Sequence, residues 1–289
     1  GVRPGHSKDV GGVQFSAGGG LLISGSEDRR GRFWDAGSRK ELGAPCLHPT
    51  GVLSGTFIGD SKMFVSSTRD QRVRVWDLEN RSEVRTLEGF GAFAQCLAVS
   101  PDGKWLAAGS FDRTIRIWAA GTWDLKQVLK GHTGGVESIA FTPDSRRLVS
   151  GGLDHSIRLW DFESGAELRV IRGHADAVAA LAVSPDGKFI YSAGADGLLK
   201  AFDLSEGREL RLIGRTVEEL ACLALSPDGR LLAAGGNDGM IRVWDLIEPK
   251  EPRILYGHTA RVGALGFQPG RRLLASGSFD STIRLWNLE

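Results

Sequence analysis

Short apolar runs, each closed by a turn-forming cluster, recur along this chain. Val178-Ala179-Ala180-Leu181-Ala182-Val183 is apolar and short, and leads into Ser184-Pro185-Asp186-Gly187. There proline presets φ for a turn and glycine accepts a positive φ. A small-residue run follows such clusters, as in Leu148-Val149-Ser150-Gly151-Gly152, and ends in a tight turn at an aspartate. The next segment alternates apolar and polar residues, as in Ile115-Arg116-Ile117-Trp118, the period-two signature of a half-buried strand. A further segment, such as Glu167-Leu168-Arg169-Val170-Ile171, completes the unit. The pattern predicts four short strands per unit.

The unit repeats with a fixed period. The aromatic that ends each alternating segment falls at Trp34, Trp76, Trp118, Trp160, Phe202, Trp244 and Trp286, always 42 residues apart. An aspartate stands six positions earlier every time: Asp28, Asp70, Asp112, Asp154, Asp196, Asp238 and Asp280. Gly-His opens most units, and Trp-Asp closes four of them, at Trp34-Asp35, Trp76-Asp77, Trp160-Asp161 and Trp244-Asp245. The others read Trp118-Ala119, Phe202-Asp203 and Trp286-Asn287. Four strands per 40–45 residues with these dipeptides is the signature of a propeller blade.

On these motifs the sequence resembles the WD-repeat proteins over essentially its whole length. The resemblance implies an all-β fold, a seven-bladed β-propeller of four-stranded antiparallel blades, with residues 1–289 forming one domain. In such propellers the N-terminal segment commonly supplies the outer strand of the last blade. Residues 1–4 are expected to do so here, as Val2 and Arg3 align with Ile254 and Leu255. Pro4, in the place of Tyr256, lacks a ladder donor, so a short and weakly paired closing strand is expected.

Five of the six histidines recur 22 residues before the repeated aspartate. By the resemblance, each joins that Asp, a Ser and the Trp in a buried hydrogen-bonded tetrad. Blade one has His6, Ser24, Asp28 and Trp34; blade two has His48, Ser66, Asp70 and Trp76. Blade four has His132, Ser150, Asp154 and Trp160; blade seven has His258, Ser276, Asp280 and Trp286. Blade five keeps His174, Ser192 and Asp196 but has Phe202. Blade three has Phe90 and Ala108, and blade six Thr216 and Ala234, so His and Ser change together. A Ser-His-Asp set invites a catalytic-triad reading, but a nucleophile site occurs once, whereas this set recurs blade after blade. Structural tetrads are therefore expected, and no catalytic residue.

Charge narrows the choice of partner. Lys and Arg number 36 and Asp and Glu 35, a net charge of +1, which supports neither a nucleic acid nor an anionic membrane. A sevenfold basic position (Arg32, Arg74, Arg116, Arg158, Lys200, Arg242, Arg284) is read as solvated or locally paired rather than as a phosphate channel. Cys46, Cys96 and Cys222 show no C-x-x-C spacing, so neither disulfides nor zinc are indicated; buried thiols point to a reducing, cytoplasmic compartment, and a monomer is expected. His155 has no partner by spacing and no further ligands converge on it, so neither metal nor cofactor is expected. Trp105 aligns with core positions; Trp123 falls in a loop on the face opposite the Asp turns.

The resemblance places partners on the face that bears the Asp turns, so a protein or peptide is expected there. The outward positions include Leu53, Phe93, Phe111 and Leu153 on consecutive blades, expected as one apolar patch edged by Arg69 and Glu137. Phe279 occupies the same position in blade seven, and blade five is bare, with Ala177, Ala179 and Ala195. The leading reading is a non-catalytic interaction scaffold. Its alternatives are an engineered, reconstructed or recently amplified propeller without a specific partner and, more remotely, a propeller enzyme or glycan binder.

Overall fold

The computed structural model of the protein describes residues 2–59, 62–248 and 250–289, residues 2–4 by their backbone alone. The strands form seven four-stranded antiparallel sheets, the blades of a seven-bladed β-propeller. Blade four shows the pattern: Val136–Phe141, Arg147–Gly152, Ser156–Asp161 and Ala166–Arg172. Its second strand is almost wholly buried and its fourth almost wholly exposed. Small and apolar residues therefore fill the former, while Glu167, Arg169 and Arg172 face solvent along the latter.

The turn at the repeated aspartate is built the same way throughout. The next residue has positive φ in all seven blades, from +62° to +74°: Arg29, Gln71, Arg113, His155, Gly197, Gly239 and Ser281. In six blades the aspartate side chain accepts the backbone N–H two residues on, which closes the turn and offsets part of that strain. His155, unassigned by spacing, is thus the left-handed residue of its turn. Its ring lies 3.9 Å from the Asp176 carboxylate, both exposed.

The chain falls into two compact units, Gly1–Gly89 with Ala224–Glu289, and Phe90–Leu223. In the first, Val10, Val13, Phe15, Leu22 and Trp34 pack with Ala264, Ala275 and Ile283. In the second, Ile115, Ile117, Leu148, Trp160 and Phe162 form one cluster, with Trp105 partly buried against it. In blades one, three, four and seven the second strand meets the next blade at a glycine. A Cβ on Gly151 would lie 2.6 Å from Val178 Cγ1 and one on Gly109 2.6 Å from Val136 Cγ1. Gly25 stands in the same way to Val52, at 2.7 Å, and Gly277 to Val10, at 2.6 Å. Glycine lets a β-branched residue of the next blade come that close.

Fourth strands vary most. They hold six or seven residues in blades two to five, but only Cys46–Leu47 in blade one and Arg253–Leu255 in blade six. In blade seven, Val262–Phe267, Leu273–Ser278 and Thr282–Asn287 are followed by Val2–Pro4. The pairing there is Val2 with Arg284, Arg3 with Ile283 and Pro4 with Thr282.

Candidate functional site

In blade one, His6 Nδ1 lies 2.9 Å from Asp28 and Nε2 2.8 Å from Ser24 Oγ, which also accepts Trp34 Nε1–H at 2.9 Å. Blade four repeats this with His132, Asp154, Ser150 and Trp160 at 3.0, 2.8 and 2.8 Å. Blade seven does so with His258, Asp280, Ser276 and Trp286 at 2.8, 2.7 and 2.8 Å. In blade five His174 joins Asp196 and Ser192 at 3.0 and 2.7 Å, while Phe202 offers no donor.

Burial drives the His6, His132 and His258 rings below their ordinary pKa, more than the facing aspartates raise them. Burial also works against the charge on Asp28, Asp154, Asp196 and Asp280, yet the donors around each outweigh it and hold the carboxyl low. Neutral imidazole beside ionised carboxylate fixes the direction of the chain: Trp N–H to Ser Oγ, Ser O–H to His Nε2, His Nδ1–H to Asp.

Blade two departs from the expected tetrad. His48 Nε2 and Trp76 Nε1 both meet Ser66 Oγ, at 2.8 and 3.0 Å, but His48 Nδ1–H donates to the Cys46 carbonyl at 3.1 Å instead of to Asp70. In the other four histidine blades the residue after His donates its backbone N–H to the aspartate. Here that residue is Pro49, which has no N–H to give. Asp70 takes the Arg74 guanidinium instead, at 2.5 and 3.1 Å. Buried next to that cation, His48 is pushed down to about 4, burial being the larger cause.

The basic position obeys one rule. Where histidine is missing or turned away, the aspartate takes the cation: Arg74–Asp70 2.5 Å, Arg116–Asp112 2.8 Å, Arg242–Asp238 2.7 Å. Where histidine holds the aspartate, the cation reaches a glutamate that faces the blade aromatic: Arg32–Glu41 2.6 Å and Lys200–Glu209 2.9 Å. Arg158 does both, with Asp154 at 3.4 Å and Glu167 closer, and Arg74 adds Glu83 at 3.3 Å to its Asp70 pair. In blade seven His258 holds Asp280, and Arg284 has no carboxylate within reach among the described residues.

At the Asp-turn ends, the Phe90–Leu223 unit brings Phe93 and Phe111 together, ring centroids 4.5 Å apart and planes 30° apart. Both rings are half-buried. Phe111 covers Gly135, where a Cβ would meet the ring at 3.1 Å; Leu153 flanks Gly134 and is 40% exposed. Glu137 is half-buried near Cys96, whose thiol is pushed up by burial first and by the Glu137 charge second. In the other unit, Leu53 is half-buried. Arg69, expected at the edge of the patch, is instead paired with Glu27 at 2.6 Å, over the space left by Gly51. Phe279 is 40% exposed beneath the Arg261 guanidinium, 5.4 Å from its ring centre. Trp123 sits at φ +63° in the loop after the third strand of blade three, half-buried.

Comparison with protein families matches the WD40 description, "WD domain, G-beta repeat", to residues 1–35, 45–77, 81–119, 123–161, 165–203, 211–245 and 249–287. The chain belongs to the WD40 family. A comparison with curated proteins gave no match. Among these WD40 blades, the sets grouped by spacing meet through hydrogen bonds in blades one, four and seven, while blade two shows the competition of His and Arg for the same aspartate that spacing missed. Pro49 was the available signal, since it removes the donor that anchors Asp in the other histidine blades.

Proposed function

We propose that this WD40 chain is a non-catalytic interaction scaffold that takes a peptide or protein segment at the Asp-turn ends of blades three and four. The observation that carries the reading is the Phe93–Phe111 pair, stacked at 4.5 Å beside Gly134-Gly135, with exposed Leu153 next to it. A packed aromatic pair offers broad apolar area with little freedom left to lose, the property of interface anchors. Glu137 sets polarity at its rim. The buried Ser-His-Asp sets favour the same reading. Ser24, Ser150, Ser192 and Ser276 have no exposed surface, and an acyl group has no approach to their Oγ.

Panning a displayed peptide library against the chain tests this. Phe93→Ala with Phe111→Ala is expected to weaken the enriched peptides at least tenfold, with only a small loss of thermal midpoint because both rings are half-buried. Peptides that bind the double variant as well as the parent would place the site elsewhere.

A further inference from the structure

The turn between the first and second strands of blade seven breaks a pattern that blades three to six keep. Those blades read Ser100-Pro101-Asp102-Gly103-Lys104, Thr142-Pro143-Asp144-Ser145-Arg146, Ser184-Pro185-Asp186-Gly187-Lys188 and Ser226-Pro227-Asp228-Gly229-Arg230. In each, the aspartate accepts the backbone N–H of the basic residue two positions on. Blade seven reads Gln268-Pro269-Gly270-Arg271-Arg272. Gly270 replaces the aspartate and takes the left-handed position at φ +72°, one residue earlier than Gly103, Gly187 and Gly229. Arg271 stands where those glycines stand, next to Arg272. The acid at the end of the third strand is absent as well. In blade six Leu231 pairs with Asp245, and Arg230 reaches that carboxylate at 2.8 Å. In blade seven Leu273 pairs with Asn287, an amide where five blades have Asp35, Asp77, Asp161, Asp203 and Asp245. Both positions that balance the basic residue in blade six are therefore neutral around Arg272.

Blade one supplies a third cation. Arg39 sits at φ +59° in the loop after Trp34, at the position that Gly165 and Gly207 hold in blades four and five. Glycine takes that conformation freely, other residues at a cost. Arg81, the equivalent in blade two, offsets it by donating to the Ala44 carbonyl at 2.7 Å and lying 5.3 Å over the Phe33 ring. The Arg39 guanidinium has no such contact; with Arg271 and Arg272 it lines a cavity of about 190 Å³, all within the unit Gly1–Gly89 with Ala224–Glu289. None of the three arginines forms an ion pair among the described residues. Glu289 lies on the same wall without pairing with them, and its N–H is bonded to Asn287 Oδ1 at 3.1 Å. That bond leaves the Asn287 NH2 as a further donor. At the adjoining turns, Asp35 accepts the Ser38 N–H, and Asp228 accepts the Ser226 hydroxyl and the Arg230 N–H.

We propose that this cavity binds one doubly charged phosphate group, free or esterified. Three guanidiniums gathered without an acid repel one another, and an anion among them reverses the sign of that interaction. Each is a planar fork that matches a pair of phosphate oxygens, whereas a carboxylate has only two oxygens to divide among three forks. All three come from tight turns or their ends, so little chain has to be ordered when the anion binds. Asp35 and Asp228 confine the positive field to the cavity, which suits a single phosphate and not a broad anionic surface.

The probes are inorganic phosphate and a capped Gly-Gly-phosphoserine-Gly-Gly peptide, each titrated calorimetrically onto the full chain, with the unphosphorylated peptide as the reference. Saturable one-to-one binding is expected, and Arg39→Gln and Arg272→Gln should each weaken it at least tenfold. Asn287→Asp restores the residue that five other blades carry, so the fold tolerates it, and pairing of that carboxylate with Arg272 should also weaken binding at least tenfold. Arg230→Gln removes a cation that is already paired and should leave the affinity unchanged. Tighter binding of the phosphopeptide names an esterified phosphate as the source, and equal binding names free phosphate; either result supports the site. Absence of saturable binding by both phosphate probes overturns the proposal. So does binding that Arg39→Gln and Asn287→Asp both leave unchanged, or equal binding of the unphosphorylated peptide.

Discussion

At the scale of single residues, the buried serine is the centre of each complete set, because one hydroxyl serves two partners. Ser150→Ala strands both His132 Nε2 and Trp160 Nε1–H in a buried site, at about 1–3 kcal/mol for each unmade bond. Adding His132→Phe restores the combination that blade three carries naturally, Phe90 with Ala108, where Phe90 packs 5.7 Å from Trp118. Urea unfolding should show the double variant losing at least ~1 kcal/mol less than the sum of the two singles; strict additivity would mean that the hydroxyl is not the hub. His48 makes a different prediction. Folded, it takes a proton only near pH 4, against 6.5 for an ordinary ring. Between those values the unfolded state binds more protons, so stability falls as the pH drops from about 6.5 to about 4, by roughly 3 kcal/mol at full extent. His6, His132 and His258 act in the same direction. Unfolding midpoints at pH 7.5, 6.0 and 4.5 should therefore decline more steeply for the parent than for His48→Gln. Equal slopes would mean that His48 titrates normally.

At the scale of strands and blades, what counts is how closely one sheet lies on the next. A Cβ on Gly151 would lie 2.6 Å from Val178 Cγ1 and 3.0 Å from its Cβ, and that short β-branched side chain has no flexible end to move aside. Gly151→Ala is expected to cost about 1–3 kcal/mol by overpacking, measured as a lower urea midpoint with an unchanged slope. A neutral or stabilising result would show that the interface has slack. Much at this scale was legible in the sequence, since alternating segments and Pro-Asp-Gly turns marked the strands and the 42-residue step marked the blades. The fourth strands were less legible. Their exposed residues carry no periodic apolar demand, so nothing in the pattern separates Ala166–Arg172 from the two-residue Cys46–Leu47 of blade one.

At the scale of the whole molecule, seven near-equivalent blades serve as controls for one another. Conserved spacing between His, Ser, Asp and Trp revealed the buried sets, because a repeated distance survives in one dimension. The partner of an arginine does not, since Arg69 chooses Glu27 and Arg74 chooses Asp70 through the folding of neighbouring segments. In a repeat protein, stability is close to a sum of unit and neighbour contributions, so a deficit in one unit should appear there first. The third strand of blade four, Ser156–Asp161, is covered on its outer edge by seven residues, and Trp160 within it is 1% exposed. The third strand of blade seven, Thr282–Asn287, is covered by three among the described residues, and Leu285 and Trp286 are half-buried. Their hydrogen-bonded sets are alike, with Trp–Ser distances of 2.8 Å in both, so the comparison turns on what covers the third strand. Native-state hydrogen exchange should find amides of Leu285–Asn287 exchanging at least tenfold faster than those of Leu159–Asp161, through local opening rather than global unfolding. Denaturant then decides the mechanism: the gap should close as global unfolding takes over. A gap that persists up to the unfolding midpoint would mean that the two blades do not unfold together.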